Sequence, residues 1–170
     1  MRGPWLWCRY YFSCKISAIR LFWSRIFVTG DVIIKTFRVS MRDIDLNGHV
    51  HNSVYLDYFE DAVVEQLRAF NLIPLFRPAT AGVSYHVKKS EATYHLPLAV
   101  DDIVTPKVML EKLGNSSLTF AIELQRNNET VICASGKLVW VCVDLDDHKP
   151  RPIPEATRQQ LIACFQPDGA

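Results

Sequence analysis

The chain has 170 residues, 49% of them hydrophobic and 22% charged, with a formal net charge of +1. That length suits one domain with a sizeable core, and the composition excludes a disordered chain, which needs low hydrophobicity with high net charge. Seven glycines and nine prolines exclude collagen-like and low-complexity chains, and the near-neutral balance argues against a dedicated nucleic-acid binder.

The charge is unevenly placed. Residues 1–30 carry Arg2, Arg9, Lys15, Arg20 and Arg25 and no acid, a balance of +5 that leaves −4 for residues 31–170. Eight aromatic residues also fall here, so the stretch is set apart from the rest. A charge interrupts it every five to seven residues, too often for a transmembrane helix, which needs ~18 consecutive apolar residues. It has no clear apolar region and cleavage site of a secretory signal. The missing acids fit an organelle presequence, but at ~100° per residue Lys15 and Arg25 leave the helix side shared by Arg2, Arg9 and Arg20. Open readings are a disordered extension, a start placed upstream of the true one, a transit segment, and a membrane-surface or partner-binding arm. The expected organisation is this extension over 1–30, one domain over 31–165 and a tail over 166–170. Cys8, Cys14, Cys133, Cys142 and Cys164 form no C-x-x-C pair and are odd in number, which reads as reduced thiols. The expected compartment is the cytoplasm, or a mitochondrion or plastid if residues 1–30 are a transit segment. Cys133 and Cys142 fall in strand-like runs as small core residues.

Phe37, Val39 and Met41 alternate with Arg38, Ser40 and Arg42, the period of a half-buried strand. A polar loop follows from Asp43 to Asn52. Residues 53–70 then take helical spacing, with Tyr55, Tyr58, Phe59, Ala62, Val63, Leu67 and Phe70 on one side and Asp57, Glu60, Asp61, Glu65 and Arg68 largely on the other. Ser53 or Asn52 is placed to cap the start, and Asn71 with Pro74 and Pro78 ends the helix. Strand-like runs follow near 83–98, 102–113, 117–126 and 130–144. The turns Gly114-Asn115-Ser116 and Asn127-Asn128 are short enough for antiparallel hairpins. Asp144 to Asp147 make another turn, and Pro154-Glu155 open a short terminal helix. One antiparallel five-stranded sheet therefore has one face to bury and one long apolar helix to bury it with, an α+β arrangement.

The run Asp45-Leu46-Asn47-Gly48-His49-Val50-His51-Asn52-Ser53-Val54-Tyr55-Leu56 resembles the signature of hotdog-fold thioesterases of the 4-hydroxybenzoyl-CoA thioesterase type, roughly Asp-x-x-Gly-His-Val-Asn-Asn-x-x-Tyr-Leu. The similarity continues through Tyr94 to Asp102, Leu113 to Ser117 and Lys149 to Pro154, and so spans about residues 32–160. His51 departs from it, since the family most often has Asn there. The resemblance implies a hotdog fold, a curved sheet wrapped around the 53–70 helix, with the active site between two subunits of a homodimer or homotetramer. It implies hydrolysis of an acyl-CoA, or of an acyl group on a carrier protein, to free acid and thiol. Coenzyme A enters only as part of the substrate, and no other cofactor is expected. By the family's spacing Asp45 is the catalytic carboxylate, while Asp43 is non-catalytic and solvated.

The chemistry is also arguable from the residues. Thioester hydrolysis needs a carboxylate or water to attack a carbonyl, and donors for the oxyanion that forms. Asp45 sits in a glycine-containing loop that can fold over the helix start. Unpaired amides there, with the positive end of the helix dipole, suit that oxyanion. Asp45 is then either general base or nucleophile, and the Asn52 backbone amide the oxyanion donor, beside a possible capping role for its side chain. Gly48, His49, Val50, His51 and Tyr55 are expected to meet substrate, with Gly48 allowing a tight turn and close approach. A bland loop role is open for His49 and Asp45. Glu60, on the helix, is an alternative carboxylate or an ordinary surface acid. His49, His51, His86 and His95 lack an acid or Cys at metal-ligand spacing, so no metal is expected. Gly-x-Ser-x-Gly, Walker and dinucleotide-binding patterns are absent from the sequence. Two rivals are an acyl-CoA-binding hotdog without catalysis and, less well matched, an enoyl-thioester hydratase.

Overall fold

The computed structural model describes residues 35–126 and 131–165. The extension over 1–30 with Cys8 and Cys14, the Asn127-Asn128 turn and the tail over 166–170 lie outside the described residues. The elements are β1 (Phe37–Arg38), α1 (Val54–Ala69), α2 (Pro78–Ala81), β2 (Ser84–Tyr94), β3 (Ile103–Leu113), β4 (Ser117–Arg126), β5 (Ile132–Val143) and α3 (Glu155–Phe165). The strands form one antiparallel sheet in the order β1-β3-β4-β5-β2. Its curled face wraps α1, as the sequence leads one to expect of a hotdog fold.

Strand periodicity explains the packing. In β4, Leu118, Phe120, Ile122 and Leu124 alternate inward and are at most 1% exposed, as period two requires of a sheet with one covered face. Their β5 partners across the ladder are Trp140, Leu138, Gly136 and Ala134. Onto this surface α1 presents Tyr55, Tyr58, Phe59, Ala62, Val63 and Leu67, all buried. The tightest contact is at Gly136: a Cβ there would lie 2.3 Å from the Phe59 ring and 2.7 Å from the Glu91 carbonyl oxygen. Only a residue without a side chain lets Phe59 lie on the strand.

Pro106 tests the register. Pro106 lies opposite Leu124 of β4. Among the described residues β1 pairs with β3 only at Val104 and Ile103, so the proline falls beyond the pairing with the edge strand, a place that tolerates it. α3 covers the far end of the helix. Leu161 is fully buried, Phe165 packs edge-to-face on Phe70 at 5.1 Å, and Arg158 donates to the Gly114 and Asn115 carbonyls at 2.7 and 3.3 Å. Cys133 and Cys142 are fully buried thiols, as their strand positions suggest.

Two local expectations are corrected. The strand at the start of the domain stops at Arg38, and Met41 is 71% exposed. Asp43 takes the Ser40 amide on its carboxylate and returns its own amide to the Ser40 carbonyl. These bonds close a 3-10 turn over Met41–Asp43, and local side-chain bonds of this kind compete with strand pairing. Ser53 has helical φ/ψ and makes no side-chain cap bond. Its own amide instead meets Asn52 Oδ1 at 2.9 Å and His51 Nδ1 at 3.3 Å.

Gly136→Ala is expected to lower stability by about 1–3 kcal/mol through overpacking, read as a lower urea midpoint with an unchanged slope. An unchanged midpoint would remove Gly136 as the seat of the helix.

Candidate active site

The loop before α1 is a small hairpin. The Asp45 amide donates to the His49 carbonyl at 2.8 Å, the Gly48 amide to the Asp45 carbonyl at 3.1 Å, and the His51 amide to the Asp43 carbonyl at 2.8 Å. Gly48 closes the turn at φ +79°, and a Cβ there would meet nothing within 4 Å. Conformation, not crowding, therefore asks for glycine within this chain. The hairpin rests on the segment after β2. The Val50 amide donates to the Leu98 carbonyl at 2.8 Å, and His49 bridges Ala99.

Asp45 folds its carboxylate back over its own turn. Oδ1 accepts the Asn47 amide at 2.7 Å and the His49 amide at 3.3 Å, and Oδ2 accepts the Asn47 side chain at 3.2 Å. The Asn47 amide above all holds the carboxyl below its ordinary value of 3.8, so the ionised form is favoured. The bland loop role is therefore met at this residue, and Asp45 also lines a cleft of about 510 Å³.

That cleft is walled by Asp45, His49, Val50, His51, Asn52 and Tyr55 on one side and by Tyr94, His95, Leu96 and Pro97 on the other. Among the described residues the Asn52 amide has no hydrogen-bond acceptor, whereas the Ser53 and Val54 amides do. It lies two residues before the first helical residue, Val54, near the positive end of a 16-residue helix. The Asn52 carbonyl takes the Tyr94 hydroxyl at 2.9 Å, and the Tyr55 hydroxyl accepts the Leu98 amide at 3.3 Å. Burial pushes the Tyr55 hydroxyl's titration up, so it stays a neutral phenol. Tyr55 and Tyr94 pack edge-to-face at 5.0 Å, making one aromatic wall.

His51 contributes through its ring. A backbone amide can only donate, so the Ser53 amide fixes His51 Nδ1 as an acceptor and puts the neutral ring's proton on Nε2.

Of the residues singled out from the sequence, Asp45, His49, Val50, His51, Asn52 and Tyr55 share this cleft, and Gly48 shapes the loop behind it. Glu60 lies on the exposed face of α1 and is not among the cleft's lining residues. His86 stacks at 5.7 Å on His148, away from the other histidines. Tyr94 went unassigned in the sequence, where a tyrosine closing a strand carries no signal of a bond 42 residues away. Asp43 corrects its expected solvation. Its side chain is only 14% exposed, because the Tyr58 hydroxyl donates to it at 2.8 Å.

Residues 39–161 match the thioesterase-like superfamily, and the chain belongs to that family. It is 28% identical over 129 residues to an acyl-CoA thioester hydrolase of Escherichia coli, YbgC, covering 76% of this chain and 92% of that one. A solved protein of Pseudomonas aeruginosa superposes with a TM-score of 0.69 at 26% identity, over 81% of this chain and 93% of the other. A 1,4-dihydroxy-2-naphthoyl-CoA thioesterase from Synechocystis shares the fold with a TM-score of 0.71 at 15% identity, over 79% and 98%. No helix among the described residues is long and apolar enough to cross a membrane.

The Asp45 carboxyl should titrate below 3.8 when followed by NMR, and Asn47→Ala should move its midpoint upward. The sign for stability is that of any carboxylate held down in the fold. Its contribution is present above the ordinary value and is lost as the pH falls through the lowered one.

Proposed function

We infer that this protein hydrolyses acyl-CoA thioesters to the free carboxylic acid and coenzyme A. The observation that carries the reading is the pairing of the Asp45 carboxylate with the unpartnered Asn52 amide on one cleft. With the carbonyl oxygen on that amide, oxygen attack at the carbonyl carbon builds negative charge where the helix start stabilises it. The tetrahedral intermediate collapses, the C–S bond breaks, and the proton taken from water ends on the thiol. Asp45 either deprotonates the attacking water or attacks itself, giving a mixed anhydride that water opens. The apolar side of the cleft, with Val50, Tyr55 and Leu96, takes the acyl group. Nothing in this scheme calls for a cofactor.

A carboxylate held low is a weak base, so excluding water from Asp45 would strengthen it. We propose that a second copy does this by joining along β2. That strand is 11 residues long, forms one edge of the sheet, and leaves Val87 and Tyr94 46% and 49% exposed. A long exposed edge is a ready template for another strand, and this one runs directly into the cleft wall at Tyr94. The assembly is then a homodimer or homotetramer. We place the protein in the cytoplasm, where the thiols of Cys133, Cys142 and Cys164 would stay reduced. The alternative is a mitochondrion or plastid if residues 1–30 direct it there.

Thiol release from a panel of aliphatic and aromatic acyl-CoAs tests the reaction. Asp45→Asn should lower kcat by about 10²–10⁴-fold with thermal melting and assembly intact, and a fully active variant would move the chemistry off Asp45. Tight acyl-CoA binding without turnover on CoA or carrier-protein esters would favour a binding protein. Sedimentation should give twice or four times 19.5 kDa, and an active monomer would refute the second copy.

A further inference from the structure

Asp43 and Tyr58 tie the start of the hairpin that carries Asp45 to α1. Asp43 opens the hairpin two residues before Asp45, and its side chain is 14% exposed. It accepts the Tyr58 hydroxyl at 2.8 Å and the Ser40 amide at 3.2 Å on the same oxygen, Oδ2, while Arg42 Nε lies 3.5 Å from the other. Its main-chain carbonyl takes the His51 amide at 2.8 Å. His51 immediately precedes Asn52, so one residue is tied both to the strand that leads into Asp45 and to the strand that leads into the oxyanion donor.

The other end of the tie is buried. Tyr58 lies in α1 and is 8% exposed, with its ring against Phe37 at 4.6 Å and Tyr55 at 6.2 Å. Burial and the neighbouring Asp43 both push its titration up, so at ordinary pH it is a donor only toward that carboxylate. Among the described residues no other side-chain hydrogen bond links residues 43–45 to α1.

Resting on the reading of Asp45 as the catalytic carboxylate, we propose that Tyr58 and Asp43 are a positioning pair that fixes the Asp45 loop against α1. They set the separation between the attacking group and the Asn52 amide. Neither residue lines the cleft, so both act through the loop. The hydroxyl is the critical atom. Without it the hairpin can tilt on α1, the amides of Asn47 and His49 lose their grip on Asp45, and the two halves of the site part. A misplacement of about 1 Å in such a site costs roughly 10²-fold in rate.

The test compares Tyr58→Phe, Asp43→Ala and Asp43→Asn with wild type and with Asp45→Asn. Tyr58→Phe keeps the ring packing and removes one oxygen. It should lower kcat about 10–100-fold with little change in KM, and the NMR midpoint of Asp45 should rise toward 3.8. Asp43→Ala should do the same, and combining it with Tyr58→Phe should add little, since both remove one bond. Asp43→Asn keeps an acceptor for the Tyr58 hydroxyl and should recover most of what Asp43→Ala loses. A Tyr58→Phe protein that melts lower yet keeps kcat and the Asp45 midpoint would reduce the pair to a structural role and overturn the proposal. The midpoint decides this whatever Asp45→Asn does to turnover, whereas an active Asp45→Asn overturns the reading of Asp45 itself.

Discussion

The fold depends on one place where a helix touches a sheet. Phe59 lies on Gly136, with the Glu91 carbonyl of the neighbouring strand beneath the same point, and no other residue type fits between them. Because α1 is seated there, its inward stripe reaches the surfaces of β3, β4 and β5, and its first turn arrives beside the segment that follows β2. The position of the Asn52 amide is thus settled by a packing contact made seven residues further along the helix. Apolar burial supplies the energy and an absent side chain supplies the address.

At the helix start, three pieces of chain with little rigidity of their own make a defined surface. The hairpin over 43–51 closes on its own backbone, the stretch from His95 to Ala99 crosses beneath it, and Tyr94 binds the carbonyl of Asn52. The Asn52 carbonyl is thereby engaged, while its amide has no acceptor among the described residues. Asp45 shows how a local motif sets the charge state of the residue proposed for the chemistry. The amides that stabilise its turn also keep its carboxyl ionised and aim it, at the expense of basicity.

Much of this was legible before any coordinates. The α1 stripe, the four long strands and the antiparallel turns follow from periodicity, because a half-buried element advertises its period in its own residues. Asp45 and Asn52 are singled out chiefly by the family resemblance, with the glycine loop before the helix adding a chemical argument. The structure brings both to one cleft. What escaped depends on partners far away in sequence or on local bonds that override a pattern. Met41 continues an alternating run, but the Ser40–Asp43 exchange turns the chain first. Asp43 reads as a loop acid until Tyr58, fifteen residues on, is seen to cover it. Gly136 inside a strand run is the one missed signal the sequence did carry, since glycine there marks a close approach. Tyr94 carried none.

The C-terminal helix gives the molecule two unlike ends. Arg158 reaches back more than forty residues to grip the Gly114 and Asn115 carbonyls, and Phe165 seals Phe70 and Phe120. That end of α1 is therefore released only when contacts spanning much of the chain are broken together. The opposite end is a loop that closes on bonds between residues fewer than ten positions apart. Single hydrogen bonds such as Val50 to Leu98, Tyr94 to Asn52 and Tyr58 to Asp43 tie it to the rest of the fold. Local opening there costs far less than global unfolding. Substrate admission and product release can draw on this compliant end without disturbing the core, so the turnover cycle and the survival of the fold are governed by separate sets of contacts.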